Sequence, residues 1–502
     1  MTVYNINLGI GWASSGVEYA QAYRAQCLRQ LEIESKFIFT DFIGQDNIID
    51  LTRNIGFRDE EVIWLYLAFT DQKLAPTSFT LDDLLTQYDG EVHRTERQGK
   101  RVRFFDDVKN QFVTAYLKDE NQDIVHRVEY VSRGCVIRKD FYSYTKMFTE
   151  FYYPKQNKAH LYQRSYYNED GSVAYDEIMS DTGSFFRFPD RLLMSKEELV
   201  AHFLDKLALT KQDTIILDRA TGIGQAVFRH VKPARLGVVI HAEHYVKGTE
   251  EEGHLLWNNY YEYQLSYAQH VDFFVLATDK QKQVLSQQLR ELGKPLPRLV
   301  TIPVGSLANL SYPKGQRKAY HAMTASRLAT EKHVDWLVKA VIEAKKSLPD
   351  LIFDIYGQGG EEALLKQIIT SHQAEGYIRL KGHQELTEIY QNYQLYLTAS
   401  TSEGFGLTLL EAVGAGLPMI GFDVPYGNQT FIAPNKNGYL IPQMDDQDEA
   451  TIVASFAQAI KQLFQKDKLS DLEQASYHIA SEFLSEKVVK KWERLFKELA
   501  DD

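Results

Sequence analysis

Apolar and polar positions change their period twice along the chain. Residues 4–8 form a short apolar run. A turn carrying Gly9, Gly11 and Gly16 follows, then helical spacing over 17–33 and a second short run at 35–40. Strand, glycine turn, helix, strand is the opening of a parallel α/β sheet. From about residue 42 to 189 that pattern stops. Segments 101–105, 111–118, 124–133 and 135–142 are short, partly alternating, and rich in β-branched and aromatic residues. Turn signals separate them at Lys118-Asp119-Glu120-Asn121, Arg133-Gly134 and Asn168-Glu169-Asp170-Gly171, which predicts an antiparallel meander of hairpins.

Near Lys196 the α/β pattern returns. Short apolar strands are predicted at 214–217, 235–240, 273–277 and 299–303, with helices such as 224–230 and 280–292 between them. After Gly305 a second set follows at 321–326, 352–357, 377–381, 393–398 and 418–422, with a helix between each pair. The expected fold class is α/β: two Rossmann-like domains, residues 1–42 with 190–305 and residues 306–484, joined near 302–311. Residues 43–189 form an inserted β-rich domain, and the amphipathic stretch 485–502 is a final helix that crosses back toward the first domain. No repeat at a period of 20–50 residues and no low-complexity segment interrupts this plan.

Composition narrows the class of partner. Across 502 residues, 68 Asp and Glu outnumber 56 Lys and Arg, a net charge of -12 that repels a nucleic-acid backbone but leaves a nucleotide free to bind at a few local groups. Two cysteines, Cys27 and Cys135, exclude a disulfide framework and a cysteine-rich zinc site. The first residues lack the basic and apolar stretches of a signal peptide, and the most apolar run, 62–69, is far shorter than the roughly 18–20 residues that span a bilayer. A cytoplasmic protein is expected, with peripheral placement on the inner face of the membrane open to it through a partner. Nineteen Tyr and Phe fall between Arg101 and Asp190, a density that fits either sheet packing or a partner or peptide surface.

The chemistry concentrates at strand ends. Ser402-Glu403-Gly404-Phe405-Gly406-Leu407-Thr408-Leu409-Leu410-Glu411-Ala412 follows the run 393–398 and opens a helix. Ligands of α/β sheets bind there, where helix N-termini offer free amides. Gly404 and Gly406 let the backbone approach a sugar or phosphate. Glu403 and Glu411 are at most about 12 Å apart along a helix, a span that suits two carboxylates gripping a bent nucleotide sugar. Arg327 and Lys332, just after another strand, can neutralise a diphosphate leaving group, the first as a fork and the second as a point charge. Gly357, in Gly357-Gln358-Gly359-Gly360, and His383-Gln384 end two further strands, and each also reads as an ordinary turn. In the first half, Ser15-Gly16-Val17-Glu18 opens a helix after the first strand. The glycine spacing is not Gly-x-Gly-x-x-Gly, and no acidic ribose ligand follows about 20 residues on, so a dinucleotide fingerprint fits poorly. His241 ends the run 235–240 and can bond a sugar hydroxyl. His241, Glu243 and His244 lack a further metal ligand, and no Asp-x-Asp occurs at the strand ends, so no metal is expected.

These residues resemble the retaining glycosyltransferases of family 4. Glu403 and Glu411 match that family's Glu-x7-Glu element, Arg327 and Lys332 its diphosphate-binding pair, and Ser15-Gly16-Val17-Glu18 its glycine loop, which more often has two adjacent glycines. The resemblance implies a GT-B fold, an acceptor domain in the first half and a nucleotide-sugar domain in the second. It assigns catalytic roles to Glu403, Arg327, Lys332 and His241. Donor binding falls to Ser15, Gly16, Val17, Glu18, Gly357, His383, Gln384, Gly404, Phe405, Gly406 and Glu411. With the aromatic insert, the opening Asn7-Leu8-Gly9-Ile10-Gly11-Trp12 and the segment His241-Ala242-Glu243-His244-Tyr245, the chain is similar to the glycosyltransferase A subunits of the accessory Sec systems of Gram-positive bacteria. That likeness implies transfer of N-acetylglucosamine from UDP-N-acetylglucosamine to Ser or Thr of a serine-rich repeat adhesin before its export. It also implies that no cofactor or metal is needed and that a sister subunit, GtfB, forms a hetero-oligomer with the enzyme. Three other readings stay open at this point: a family 4 enzyme acting on a lipid or small sugar, a non-catalytic adhesin-binding chaperone, and an NAD-dependent oxidoreductase disfavoured by the glycine spacing.

Overall fold

The computed structural model describes all residues except 13, 107, 157, 250–253, 444–447, 466–468 and 502. The chain divides into two units. One comprises Met1–Ala25, Glu32–Val238 and Asn259–Asp272; the other comprises Gln26–Leu31, Val239–Asn258 and Phe273–Asp502.

In the first unit, strand Thr2–Asn7 lies parallel to Glu34–Phe39 on one side and to Thr214–Leu217 on the other. Residues from Arg235 pair outside Thr214–Leu217, and Val62–Trp64 pairs outside Glu34–Phe39. Strand order therefore reverses next to Thr2–Asn7, and the reversal opens a crevice at the carboxyl ends of Thr2–Asn7 and Thr214–Leu217. The α/β pattern, expected to stop near residue 42, runs on to Trp64. Helix Ile48–Asn54 follows Glu34–Phe39, started by the Asn47 side chain accepting from the Ile49 amide, and leads into the parallel strand Val62–Trp64. Three strand residues are too few for a period to register in the sequence.

The predicted meander is a single antiparallel sheet of ten strands, from Arg94–Gln98 to Leu192–Leu193, arranged in chain order. One stretch is conventionally apolar: Val102, Phe104, Val113, Ala115 and Val128 pack with Phe79 and Leu84. Further along, the buried groups are aromatic and charged together. Arg164 donates to Glu150 at 3.0 Å and to Glu177 at 3.1 Å, and its guanidinium lies 3.6 Å from the Phe42 ring centroid. Tyr166 and Tyr175 stack at 4.5 Å. Much of the aromatic density thus packs the sheet, whereas Tyr153 and Tyr162 are 43% and 40% exposed.

In the second unit, Phe273–Leu276 and Leu299–Thr301 pair in parallel. A six-stranded parallel sheet runs in the order Ile378–Gly382, Ile352–Tyr356, His321–Ala325, Leu395–Thr398, Met419–Phe422, Gly438–Ile441. Helix Val334–Lys345 buries Val334, Leu337, Val338, Val341 and Ala344 against this sheet and against helix Glu449–Phe464. Each such large side chain contributes roughly 1.5–3 kcal/mol. Residues 302–311 lie in this unit. They pack closely there: a Cβ on Gly305 would lie 2.4 Å from a Leu407 methyl, and Leu307 bridges to Leu484. The final helix, Ser485–Asp501, buries Val488, Trp492, Leu495, Phe496 and Leu499.

Candidate active site at the strand ends

Strand order in the six-stranded sheet reverses between His321–Ala325 and Leu395–Thr398, which neighbour each other although two strands separate them in sequence. Loops leaving such a pair diverge and leave a crevice for a ligand. One loop carries Arg327 and Lys332, the other Glu403 to Gly406. Lys332 Nζ meets Glu403 Oε2 across the crevice at 2.8 Å, both side chains about four-fifths buried. Arg327, by contrast, is 78% exposed and pairs with Glu331 at 3.1 Å, so its guanidinium stands toward solvent at the mouth.

Gly357 and its neighbours hold the first loop in place. Gly357 has φ +130°, and a Cβ there would sit 1.8 Å from the Ser326 carbonyl oxygen. A Cβ on Gly359 would sit 2.3 Å from that of Leu328, whose amide donates to the Gln358 carbonyl at 2.9 Å. The structure therefore uses this turn as the seat of the Arg327 loop. His383 and Gln384 are exposed after Ile378–Gly382, with Gln384 Nε2 donating to the Lys381 carbonyl at 3.0 Å.

On the second loop, Gly406 has φ +83° and caps helix Leu407–Gly414. The Phe405 ring is 3% exposed and packs edge-on against Phe431, so this residue can meet a ligand only through its backbone. Glu411 accepts from the Tyr390 hydroxyl at 2.8 Å. Burial raises the Glu411 carboxyl above its ordinary value, and the Tyr390 hydrogen bond opposes that rise. His241 follows strand Arg235–Ile240, and its carbonyl oxygen would lie 2.4 Å from a Cβ on Gly404, which makes glycine the residue that fits. The structure thus brings Lys332, Glu403, Gly404 and His241 together, with Arg327, Gly357 and Glu411 on the adjoining strand ends.

Ser15, Gly16, Val17 and Glu18 occupy the corresponding crevice of the first unit. Glu18 is 3% exposed and fully engaged: Oε2 accepts from the Ser15 amide at 2.6 Å and Oε1 from Asn7 Nδ2 at 3.1 Å. Arg219, after Thr214–Leu217, donates to Ser15 Oγ at 2.9 Å. Glu18 therefore caps and shapes the loop, while Ser15 and Gly16 are exposed. Arg219, Tyr390 and Tyr426 escaped the sequence reading. Arg219 alone left a signal there, as a cation just past an apolar strand.

Residues 94–190 match the GtfA extended beta-sheet domain, and residues 313–477 match glycosyl transferases group 1. The chain is 55% identical over 503 residues to the UDP-N-acetylglucosamine–peptide N-acetylglucosaminyltransferase GtfA subunit of Streptococcus gordonii, covering 100% of this chain and 99% of that one. A crystal structure of the pneumococcal O-GlcNAc transferase GtfA in complex with UDP and GlcNAc is similar with 54% identity and a TM-score of 0.95, over 100% of this chain and 99% of that chain. The GtfA in a crystal structure of a GtfA/B complex gives 55% identity and a TM-score of 0.95 over the full length of both chains. The fold is GT-B, two Rossmann-like domains with an inserted antiparallel β-meander. With this identity along its whole length, the chain belongs to the family of GtfA subunits of UDP-N-acetylglucosamine–peptide N-acetylglucosaminyltransferases.

Proposed function

We propose that this chain transfers N-acetylglucosamine from UDP-N-acetylglucosamine to Ser or Thr hydroxyls of a serine-rich repeat adhesin, the first step of its O-glycosylation before export. The observation that carries this reading is the Lys332–Glu403 pair at 2.8 Å at the switch point of a parallel sheet, within a chain 55% identical to GtfA subunits over its full length. Arg327 and Lys332 take up the negative charge that develops on the departing diphosphate, together with the amides of Gly404 to Gly406. Glu411 accepts from the ribose hydroxyls, and Glu403 and His241 orient the sugar. Gly357 seats the phosphate loop, and His383 and Gln384 frame the base.

In the reaction the acceptor oxygen bonds to the anomeric carbon as the bond from that carbon to the β-phosphate oxygen breaks. The hydroxyl proton passes to the leaving phosphate on the same face, which retains configuration. No metal is required in this scheme, because the two cations carry the charge that a metal would otherwise balance. A sister GtfB subunit joins the chain in a hetero-oligomer. Among the described residues no helix is long and apolar enough to cross a membrane; a cytoplasmic location, with contact to the membrane through the complex, fits the proposed substrate before export.

The test is UDP release from UDP-N-acetylglucosamine by the wild-type chain and by Glu403→Gln, with and without a chelator. Release that chelation leaves unchanged and that falls about 100-fold or more in the variant is expected. Equal release from both proteins, or none from either, would overturn the assignment and favour a chaperone.

A further inference from the structure

Tyr426, in the segment after strand Met419–Phe422, is 1% exposed and holds two parts of the site with its two ends. Its backbone amide donates to the Glu403 carbonyl oxygen at 2.8 Å, and the Gly427 amide donates to the same oxygen at 2.9 Å. Both lone pairs of that carbonyl are then engaged, which fixes the backbone of Glu403. Gly427 is crowded as well, since a Cβ there would lie 2.2 Å from the Phe405 carbonyl oxygen.

At its other end the Tyr426 hydroxyl, with one proton, faces two acceptors. It donates to a carboxylate oxygen of Glu243, and Nδ1 of His244 lies 3.3 Å away. His244 is fully buried, and burial pushes its imidazole down to about 4, so the ring is neutral near neutral pH. Its Nε2 sits 2.8 Å from Gln288 Oε1 and donates to it, which leaves Nδ1 as an acceptor toward Tyr426. Glu243 and His244 are two and three residues beyond His241. The His241 segment and the Glu403 loop are therefore joined twice, directly where Gly404 meets the His241 carbonyl and again through Tyr426.

We infer that Tyr426 is a positioning residue for sugar transfer: its amide holds Glu403, its phenol holds Glu243 beside His244, and together they set the separation at which Glu403 and His241 meet the donor sugar. This inference rests on the donor site proposed above and adds to it the device that keeps its sugar end in register. Displacement by about 1 Å of groups that orient a reacting sugar costs on the order of a hundredfold in rate. If Tyr426 served only as a buried ring, stacked on His244 at 6.0 Å between centroids, phenylalanine would replace it without loss.

The experiment uses the full chain assembled with its sister subunit and compares wild type with Tyr426→Phe, Glu243→Ala, His241→Ala and the Tyr426→Phe/His241→Ala double variant. It reads kcat and KM with UDP-N-acetylglucosamine and Kd for UDP. Tyr426→Phe and Glu243→Ala are each expected to lower kcat about 10- to 100-fold. Affinity for UDP stays within about twofold, because Arg327 and Glu411 pair with Glu331 and Tyr390 rather than with the tie. In the His241→Ala background Tyr426→Phe is expected to cost less than about threefold more, as two residues acting through one contact are not additive. Wild-type kcat in Tyr426→Phe, fully multiplicative losses, or UDP affinity lost in parallel with kcat would each overturn the inference. Should Tyr426→Phe fail to fold, Glu243→Ala severs the same tie from its less buried end and carries the same comparison with His241→Ala. Absence of wild-type turnover would strike the proposed function itself; it is read before any variant is compared and takes this inference with it.

Discussion

A carboxylate that accepts hydrogen bonds from sugar hydroxyls works while it is ionised, and burial makes Glu411 ionise later than an ordinary glutamate. The Tyr390 hydroxyl acts against burial, because donation to the carboxylate favours its charged form. Tyr390→Phe removes that help, so the Glu411 carboxyl rises further and its protonated form persists to higher pH. The acid limb of UDP affinity is expected to shift upward in the variant, with wild-type affinity recovered at the alkaline end; an unshifted limb would remove Glu411 from the ribose. The strand-end placement of Glu403, Glu411, Arg327 and Lys332 was legible in the sequence, because each follows an apolar strand run. Tyr390 and Tyr426 were not legible. Tyr390 acts through its hydroxyl and Tyr426 through its hydroxyl and its amide, and no spacing distinguishes either from the many tyrosines of this chain that pack a core.

Loops at strand ends are held here by backbone approach more than by side chains. Gly404 meets the His241 carbonyl, Gly357 that of Ser326 and Gly359 that of Leu328, each closer than any Cβ permits. Gly404→Ala must push two backbones apart beside Glu403. It is expected to reduce transfer at least about tenfold while lowering the melting temperature by only a few degrees, as measured by kinetics and thermal unfolding. Unchanged activity would show that this approach does not set the site. The element plan was readable wherever a period had room to repeat, as in the helix Gly16–Gln30 and five strands of the six-stranded sheet, Gly438–Ile441 being missed. It failed at Val62–Trp64, where three residues carry no period. The buried Arg164, Glu150 and Glu177 also lay beyond reach, since alternating charges on a strand read as a solvated face until their partners are known.

For the molecule as a whole, the last helix carries a large buried apolar face. Ser485–Asp501 buries five large apolar side chains, and Ser485 donates from both its amide and its hydroxyl to the Leu307 carbonyl, far away in sequence within the same unit. Removing residues 485–502 would expose surface worth roughly 10 kcal/mol, comparable with the entire stability of a domain. A truncated chain is therefore expected to be insoluble or to lose cooperative unfolding; a soluble, active truncation would contradict this role. The larger claim is that the Lys332–Glu403 crevice serves transfer to a polypeptide rather than to a lipid or small sugar. The most direct measurement is mass spectrometry of a serine-rich repeat polypeptide after incubation with UDP-N-acetylglucosamine, this chain and its sister subunit. N-acetylhexosamine increments on Ser or Thr that vanish with Glu403→Gln are the predicted result. An unmodified polypeptide, with donor still consumed, would contradict the account and point to another acceptor.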